Sequence, residues 1–203
     1  DNNGLLDVFR ADLRVDMNPN PGNVNANVIF HAVLGNVLVL TGDDDDNRIR
    51  LSSSATGTVL VEGQAGTTVN SATSSFSFVD IQQIEIELGL GDDKVTTFAL
   101  DISGGLEVSL GDGDDALEVL RGDLGELGID AGSGVDRVTL ESASIVGSTD
   151  IRMGKGSDIL LLQDSVFEDD VRLDGGLGDD LLTLLADNYF ANKLKVKRFE
   201  STQ

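Results

Sequence analysis

Apolar residues alternate with polar ones in short runs along most of the chain, and glycine-rich turns separate these runs. For example, Leu106, Val108 and Leu110 alternate with Glu107 and Ser109 before one such turn. Alternation with a period of two is typical of β-strands that bury one face. The glycine turns follow one another too closely for helices of ordinary length. The pattern therefore predicts an all-β fold of short strands.

The glycine turns form an internal repeat with the pattern Gly-x-Gly-x-Asp. Five copies occupy residues 89–93, 111–115, 132–136, 154–158 and 176–180, so that the copies recur every 21 or 22 residues. A fixed period of this length is the mark of a solenoid, in which each repeat buries its apolar face against its neighbours. We therefore predict one elongated domain whose core grows by stacking.

Alignment of the copies on their final aspartate reveals columns of apolar residues. Two residues later stand Val95, Leu117, Val138, Leu160 and Leu182, and four later stand Thr97, Val119, Leu140, Leu162 and Leu184. Seven residues earlier stand Ile86, Val108, Ile129, Ile151 and Leu173, and nine earlier stand Ile84, Leu106, Leu127, Thr149 and Val171. A further column, nine residues after the aspartate, holds Ile102, Leu124, Ile145, Phe167 and Tyr189. These columns predict a parallel β-helix of about 22 residues per coil with two longer sides and a shorter third.

The chain ends depart from the regular repeat. Residues 36–51 read as a degenerate first coil in which Asn47 takes the place of the repeat aspartate, and Val59 and Val61 predict a further strand. Residues 64–77 read as an inserted loop or a wider coil. We predict an N-terminal cap at 1–35, the β-helix at 36–192 with regular coils at 84–184, and an edge strand at 193–203.

Both end segments have a composition that suits a cap. The first has one short helix or strand before the stretch rich in Asn and Pro at 18–26, and its apolar residues are Leu5, Leu6, Phe9, Leu13, Val28, Phe30 and Val33. In the last, the cations Lys193, Lys195, Lys197 and Arg198 surround Leu194, Val196 and Phe199 and protect an edge strand from aggregation. Because the chain opens at Asp1 without Met, we expect a processed or excised form.

The composition excludes several classes of function. With 36 acidic and 14 basic residues the formal net charge is −22, which disfavours nucleic acid and anionic membranes as partners. The absence of cysteine excludes disulfides and thiolate zinc sites. No apolar run reaches the roughly 18 residues of a membrane helix, so we expect no membrane insertion. The acidity either serves solubility alone or attracts bound cations.

The repeated turns carry the most distinctive candidate chemistry, because they place one carboxylate at the same point of every coil. The aligned aspartates are Asp93, Asp115, Asp136, Asp158 and Asp180. Ca²⁺ binds about 6–8 oxygen ligands, and stacked turns can supply them from two adjacent coils. Like charges at strand spacing repel unless a cation lies between them. Asp92, Asp114 and Asp179 add to this charge in three copies. The alternative is structural, since Asp and Gly also stabilise tight turns without metal.

These turns resemble the glycine-rich repeats of RTX-type, haemolysin-like calcium-binding proteins, whose signature is G-G-x-G-x-D-x-U-x. Residues 175–182 match it most fully, whereas Leu88, Leu110, Ala131 and Met153 replace the first glycine elsewhere. The resemblance implies a secreted bacterial protein with a right-handed, calcium-loaded parallel β-structure. It also implies that the five aspartates offer carboxylates. The second glycine of each copy would offer a backbone oxygen, and these glycines are Gly91, Gly113, Gly134, Gly156 and Gly178. Because the motif recurs every 21 or 22 residues and not every nine, the chain resembles a broader β-helix with such turns on one edge.

We expect an extracellular, cell-surface module that binds Ca²⁺ and has a structural or adhesive role without enzymatic activity. Its expected partners are calcium ions and either a cell-surface polysaccharide or another surface protein. One alternative is a metal-free structural repeat protein. Ice or crystal binding needs a regular threonine column, which the chain lacks. The single histidine, His31, lies in an apolar stretch and reads as a residue of a cap strand.

The other alternative is a polysaccharide lyase or hydrolase that uses charged columns on the outer face, because paired carboxylates can act as acid and base. One such column is Glu85, Glu107, Gly128, Asp150 and Arg172, and the next is Glu87, Ser109, Asp130, Arg152 and Asp174. Ion pairing on a solvated face is the favoured explanation of these columns, because this face has no aromatic residue for stacking sugars.

Overall fold

The computed structural model describes residues 22–31, 34–185 and 187–202, and within these ranges the regular elements are strands without any helix. The strands are β1 (Asn23–His31), β2 (Gly35–Thr41), β3 (Arg48–Ala55), β4 (Thr58–Gly63), β5 (Thr68–Val69), β6 (Phe76–Phe78), β7 (Ile81–Leu90), β8 (Lys94–Phe98), β9 (Asp101–Asp112), β10 (Ala116–Leu120) and β11 (Asp123–Ser133). They continue with β12 (Arg137–Glu141), β13 (Ser144–Ile145), β14 (Thr149–Arg152), β15 (Ile159–Gln163), β16 (Val166–Phe167), β17 (Val171–Asp174), β18 (Leu181–Leu184), β19 (Tyr189–Phe190), β20 (Leu194–Lys197) and β21 (Ser201–Thr202).

The strands form two sheets that run along the length of the molecule. One sheet follows the order β3-β8-β10-β12-β15-β18-β21, and all of these neighbours pair in parallel. The other begins β2-β7-β9-β11 and then divides into the short series β13-β16-β19 and the series β14-β17-β20. Each coil thus contributes to both sheets, with one long strand (β7, β9 or β11) on the second sheet in the early coils and two short strands in the later ones. This arrangement confirms the predicted parallel β-helix and its shorter third side.

The strand register confirms the apolar columns that the sequence predicts. Leu117, for instance, lies between Val95 and Val138, and Val108 lies between Ile86 and Ile129. All members of these columns are buried except Leu184, which is half-buried, and Tyr189, which is exposed. The columns form one continuous apolar core, and burial of such side chains is the main stabilising term of the fold.

One member of the third-side column is wrong in the sequence prediction. Phe167 pairs with Phe190, and their rings stack with centroids 5.0 Å apart. Tyr189 instead pairs with Val166 and is 59% exposed. The corner between Leu184 and the next strand is one residue longer in the last coil, so the alternation shifts by one position.

Coils of unequal length keep their register because bulges absorb the extra residue. In the β9–β11 pair, Leu124 lies opposite Ile102 while Glu126 lies opposite Gly105, so β9 contains one more residue at this point. The bulge explains why one repeat is 21 residues long, since the turns on either side still align. A similar shift lies between Asn36 and Val37 in the pairing of β2 with β7.

Antiparallel strands cover the N-terminal end of the solenoid. Strand β1 pairs antiparallel with β2, and β4 pairs antiparallel with β3 and β6. Residues 36–51 form the predicted first coil, whereas the predicted strand around Val59 and Val61 is β4 of this cover. Such pairing satisfies edges that would otherwise be open.

Part of the N-terminal prediction lies outside the described residues, namely residues 1–21 with Leu5, Leu6, Phe9 and Leu13, and also Val33. Val28 and Phe30 lie on β1 and are 37% and 67% exposed, so they face solvent and do not fill a core. His31 ends β1, and its Nδ1 accepts a hydrogen bond from the Leu34 N–H at 3.2 Å.

Both glycines of each turn have positive φ and pack against the backbone of the preceding coil. Gly134 has φ of 143°, and a Cβ atom at this position would overlap the carbonyl oxygen of Gly113. Gly113 is held in the same way above Gly91. Only glycine combines this backbone angle with such a close approach, so the turns require it for the fold itself.

We expect Gly134→Ala to lower the free energy of unfolding by about 2 kcal/mol or more, because it adds left-handed strain to a backbone overlap. For a chain of this size that corresponds to a fall in melting temperature of roughly 4–8 °C. Gly122→Ala is the matched control, since a Cβ there meets only ordinary contacts, the nearest being Val119 Cγ1 at 3.4 Å. Equal falls for the two variants in thermal unfolding would contradict this account of the turn.

Candidate functional site

The five repeat aspartates stack into one buried column at the edge of the solenoid, which we call the aspartate column: Asp93, Asp115, Asp136, Asp158 and Asp180. Each is only 1–2% exposed. The backbone N–H of each residue donates to the Oδ1 of the equivalent residue in the next coil. The four distances, in chain order from the Asp93 N–H, are 2.7, 2.9, 2.8 and 3.0 Å.

The same bonds continue to both ends of the column. The Asn47 N–H donates to Asp93 Oδ1 at 2.7 Å, and the Asp180 N–H donates to Glu200 Oε2. Asn47 is fully buried, as its place in the first coil predicts. Glu200 was missed from the sequence because it follows no Gly-x-Gly motif and its longer side chain reaches the same position.

The second carboxylate oxygen of each column residue has a different environment. The Oδ2 atoms of all five aspartates are buried and accept no hydrogen bond from the described residues, and the same holds for Asn47 Oδ1. A buried carboxylate oxygen without a partner is unfavourable unless it is protonated or contacts a cation. The column therefore presents a row of unsatisfied oxygens at coil spacing.

Burial shifts the titration of the column. Desolvation is the main cause that raises the pKa of Asp93 and Asp136 to about 7 and that of Asp115 and Asp158 to about 6. Neighbouring carboxylates raise the values further, whereas the backbone N–H bonds lower them. Burial also raises the pKa of Asp180. The column thus holds its negative charge poorly near neutral pH unless something compensates it.

A second row of aspartates runs beside the column in the early coils only. The Asp92 N–H donates to Asp46 Oδ1 at 3.0 Å, and the Asp114 N–H donates to Asp92 Oδ1 at 2.9 Å. The row ends where the Val135 N–H donates to Asp114 Oδ1 at 2.7 Å, because Val135 offers no carboxylate to the next coil. In this row each N–H donates to the preceding coil, whereas in the aspartate column each N–H donates to the next coil. The row therefore adds solvent-exposed negative charge beside Asp93 and Asp115.

The glycines that the resemblance implies as ligands contribute their carbonyl oxygens to the stacking of the turns. The carbonyl oxygens of Gly91, Gly113, Gly134 and Gly156 each lie against the Cα of the next glycine in the series, ending at Gly178. No three acidic, histidine or cysteine side chains of the described residues converge as a metal-binding group.

The donor set nevertheless suits a hard cation. Anionic oxygens from successive coils and nearby carbonyl oxygens are the ligands that Ca²⁺ prefers, with water completing its shell. The buried Oδ2 atoms without hydrogen-bond partners are the feature of the structure that points to a bound cation. Asp93, Asp115, Asp136, Asp158 and Asp180 would hold the ions, and the ions would supply positive charge between stacked carboxylates.

The charged columns on the outer face also assemble as the sequence predicts. Asp150 Oδ2 accepts hydrogen bonds from Arg172 at 3.0 Å and from Arg152 at 3.1 Å. The register places Arg152 between Asp130 and Asp174 as predicted. Its guanidinium bonds Asp150, however, and Asp174 pairs with Arg198 at 2.6 Å. Glu107 lies beside an open depression, and burial together with Glu126 and Glu85 raises its pKa. These contacts place the two charged columns side by side on one sheet.

No protein-family model, curated protein or solved structure matches this chain. The described residues contain no helix long and apolar enough to cross a membrane.

We expect the metal-free protein to lose stability as pH rises from about 4 to about 7. A raised carboxyl pKa means that the folded state binds protons more tightly than the unfolded state, so the free energy of unfolding falls across that window. The lowered pKa values of Glu118 and Asp174 act in the opposite direction at more acidic pH. Melting temperatures in EDTA at several pH values check this.

Asp136→Asn should flatten the pH dependence, because the amide keeps an acceptor for the Asp115 N–H and does not titrate. Asp123→Asn, on an exposed residue, is the control for the loss of one charge. A metal-free protein whose stability rises from pH 5 to pH 8 would show that the column is not strained by ionisation.

Proposed function

We propose that this chain is an extracellular solenoid module of a bacterial cell surface that binds Ca²⁺ along the aspartate column. Its role is structural or adhesive, and it has no catalytic activity of its own. The observation that carries the proposal is the row of five buried Oδ2 atoms without hydrogen-bond partners. The resemblance of the turns to RTX-type repeats supports the same assignment.

Calcium acts in this proposal by linkage to folding. Ions that bind the stacked column and not the unfolded chain stabilise the native state by mass action. They also offset the repulsion within a chain of net charge −22. Protons compete with the ions for the same oxygens, so the stabilisation by calcium increases as the column ionises. A secreted module would therefore become rigid where calcium is abundant.

We expect CaCl₂ to raise the melting temperature relative to EDTA, and MgCl₂ to do so much less, because Mg²⁺ demands tighter octahedral geometry. With a dissociation constant of about 0.1–1 mM, about 10 mM calcium stabilises each site by about 1.4–2.7 kcal/mol. That corresponds to a rise of roughly 3–10 °C per ion. Circular dichroism at pH 7.5 or above measures it.

The variant Asp136→Asn should reduce both the calcium-dependent rise and the number of ions in a calorimetric titration, while Asp123→Asn should change neither. If the melting temperature of the Asp136 variant falls equally with and without calcium, the column does not bind it. The repeat would then be a metal-free structural protein whose column is kept neutral by protons.

The affinity tests the extracellular assignment separately. Extracellular calcium modules bind with dissociation constants of about 10⁻⁴–10⁻³ M, whereas cytosolic buffers bind near 10⁻⁸ M. We expect half-saturation in the first range. Submicromolar binding would contradict the surface role and leave calcium binding itself intact.

One observation supports polysaccharide cleavage as a second candidate. Glu107 has a raised pKa and lies with Glu85 and Glu126 in an open depression, as a general acid requires. Asp150 is held by two arginines and thus has an ion-pairing role. Incubation with acidic polysaccharides should give no new reducing ends. Activity that Glu107→Gln abolishes would replace the non-enzymatic proposal.

A further inference from the structure

The outer side of strands β7, β9, β11, β14, β17 and β20 carries a charge pattern that we call the bipolar face. Strand register places two columns side by side on it. The first is Glu85, Glu107, Gly128, Asp150, Arg172 and Lys195, and the second is Glu87, Ser109, Asp130, Arg152, Asp174 and Lys197. The half nearer the N-terminal cap is acidic and the other half is mainly basic. The basic half stands out in a chain of net charge −22.

Each half of the face brings like charges together. Glu85 lies directly beside Glu107, and Arg172 lies directly beside Lys195. Burial and then the carboxylates of Glu126, Glu85 and Asp150 raise the pKa of Glu107. Lys197 is the main cause that lowers the pKa of Lys195. Directly opposed like charges are destabilising, so each half gains from contact with opposite charge.

The other sheet has no such polarity on its outer side. Its corresponding columns are Arg48, Lys94, Ala116, Arg137, Ile159 and Leu181, and Arg50, Thr96, Glu118, Thr139, Leu161 and Thr183. The charges there are few, and Lys94 pairs with Glu118 at 2.7 Å. The separation of charge is thus a property of one face and not of the whole repeat.

We propose that the bipolar face is the interface of a homodimer in which two copies pack with their solenoid axes antiparallel. A two-fold axis that runs parallel to the strands, midway between β11 and β14, reverses the order of the coils and keeps each column over itself. This arrangement places Glu85 opposite Lys195, Glu107 opposite Arg172, Glu87 opposite Lys197 and Asp130 opposite Arg152 of the second copy. Such an isologous contact closes after two copies.

The remaining positions of the face agree with this arrangement. Gly128 meets Asp150, and Ser109 meets Asp174, so no two like charges face each other in either column. Arg152 and Arg172 are 59% and 55% exposed, which leaves guanidinium donors for a second carboxylate besides Asp150. The self-complementary order is the observation that selects a second copy as the partner.

The dimer is expected to be weak and sensitive to salt. Six strands at about 4.8 Å spacing extend over about 24 Å, which makes a small and polar interface. The total charge repels a second copy at low ionic strength, whereas high salt screens the facing pairs. Association should therefore be strongest at moderate salt, with a dissociation constant in roughly the micromolar range.

Charge reversal of each half tests the proposal. Glu85→Lys with Glu107→Lys makes both ends of the first column basic, and Arg172→Glu with Lys195→Glu makes both ends of it acidic. Sedimentation equilibrium at about 0.1 M salt should show dimerisation weakened at least about tenfold for each variant alone. An equimolar mixture should restore it, because the two faces are then complementary. Thermal unfolding verifies that both variants are folded.

The matched control variants change the net charge by the same amount as the test variants, but at residues of the other sheet. Arg48→Glu with Arg137→Glu, and Glu118→Lys with Glu141→Lys, should leave dimerisation within about twofold. Because the chain has no cysteine, Asp130→Cys can report contact across the two-fold axis through a bis-maleimide cross-linker longer than about 10 Å, the usual separation of packed sheets. Glu141→Cys on the other sheet should not be cross-linked at the same rate.

Three results would overturn the proposal: a wild-type chain that stays monomeric at all salt concentrations, a mixture that fails to associate, or equal cross-linking at the two cysteine positions. Loss of binding to an acidic polysaccharide in the Arg172 and Lys195 variant, with a monomeric wild type, would assign the basic half to a polyanion. All of these measurements are made in EDTA, so failure here is distinguishable from failure of the calcium sites.

Discussion

The hydrogen bond from each column residue's N–H to the carboxylate of the next coil is the constraint on which the structure depends. At the sharp edge of a coil the backbone leaves the strand, and this N–H needs an acceptor that the chain's carbonyls do not supply. Asp136 Oδ1, for example, supplies it for Asp115. The bond fixes the register of the turns and holds the carboxylate in the interior. It also brings each glycine carbonyl against the equivalent glycine of the next coil. One interaction thus produces both the fold's edge and its unusual titration.

The same constraint ties stability to the occupant of the column. In a solenoid, stability is approximately a sum of repeat terms and nearest-neighbour interface terms. A charge left uncompensated on Asp115 weakens two interfaces at once, because its neighbours Asp93 and Asp136 lie in adjacent coils. A proton or a cation shared between coils strengthens both. Compensation of the column therefore governs cooperativity along the solenoid more than the stability of any one coil.

Sequence reasoning predicted the periodic part of the molecule well, because stacking imposes one rule on every coil. It recovered the columns, the first coil and the role of Asn47. It failed where non-periodic interactions decide. The corner that directly follows β8, β10 and β12 places Ala99, Arg121 and Ser142 at φ of 48–56° without any glycine signal, since tertiary contacts override local preference. Tyr189 was misplaced by a one-residue insertion, and the antiparallel cover of β1 and β4 follows no repeat.

The candidate sites occupy different sides of the solenoid, and this separation limits how they can influence each other. The aspartate column lies in the turns between the sheets, whereas the bipolar face lies on the outside of one sheet. At physiological ionic strength the Debye length is about 8 Å, so an ion at Asp136 interacts weakly with the far end of the face. Calcium can therefore favour association mainly by lowering the total charge, an effect that salt imitates. A requirement for calcium at moderate salt would instead mean that the column's occupancy changes the coil register beneath the face.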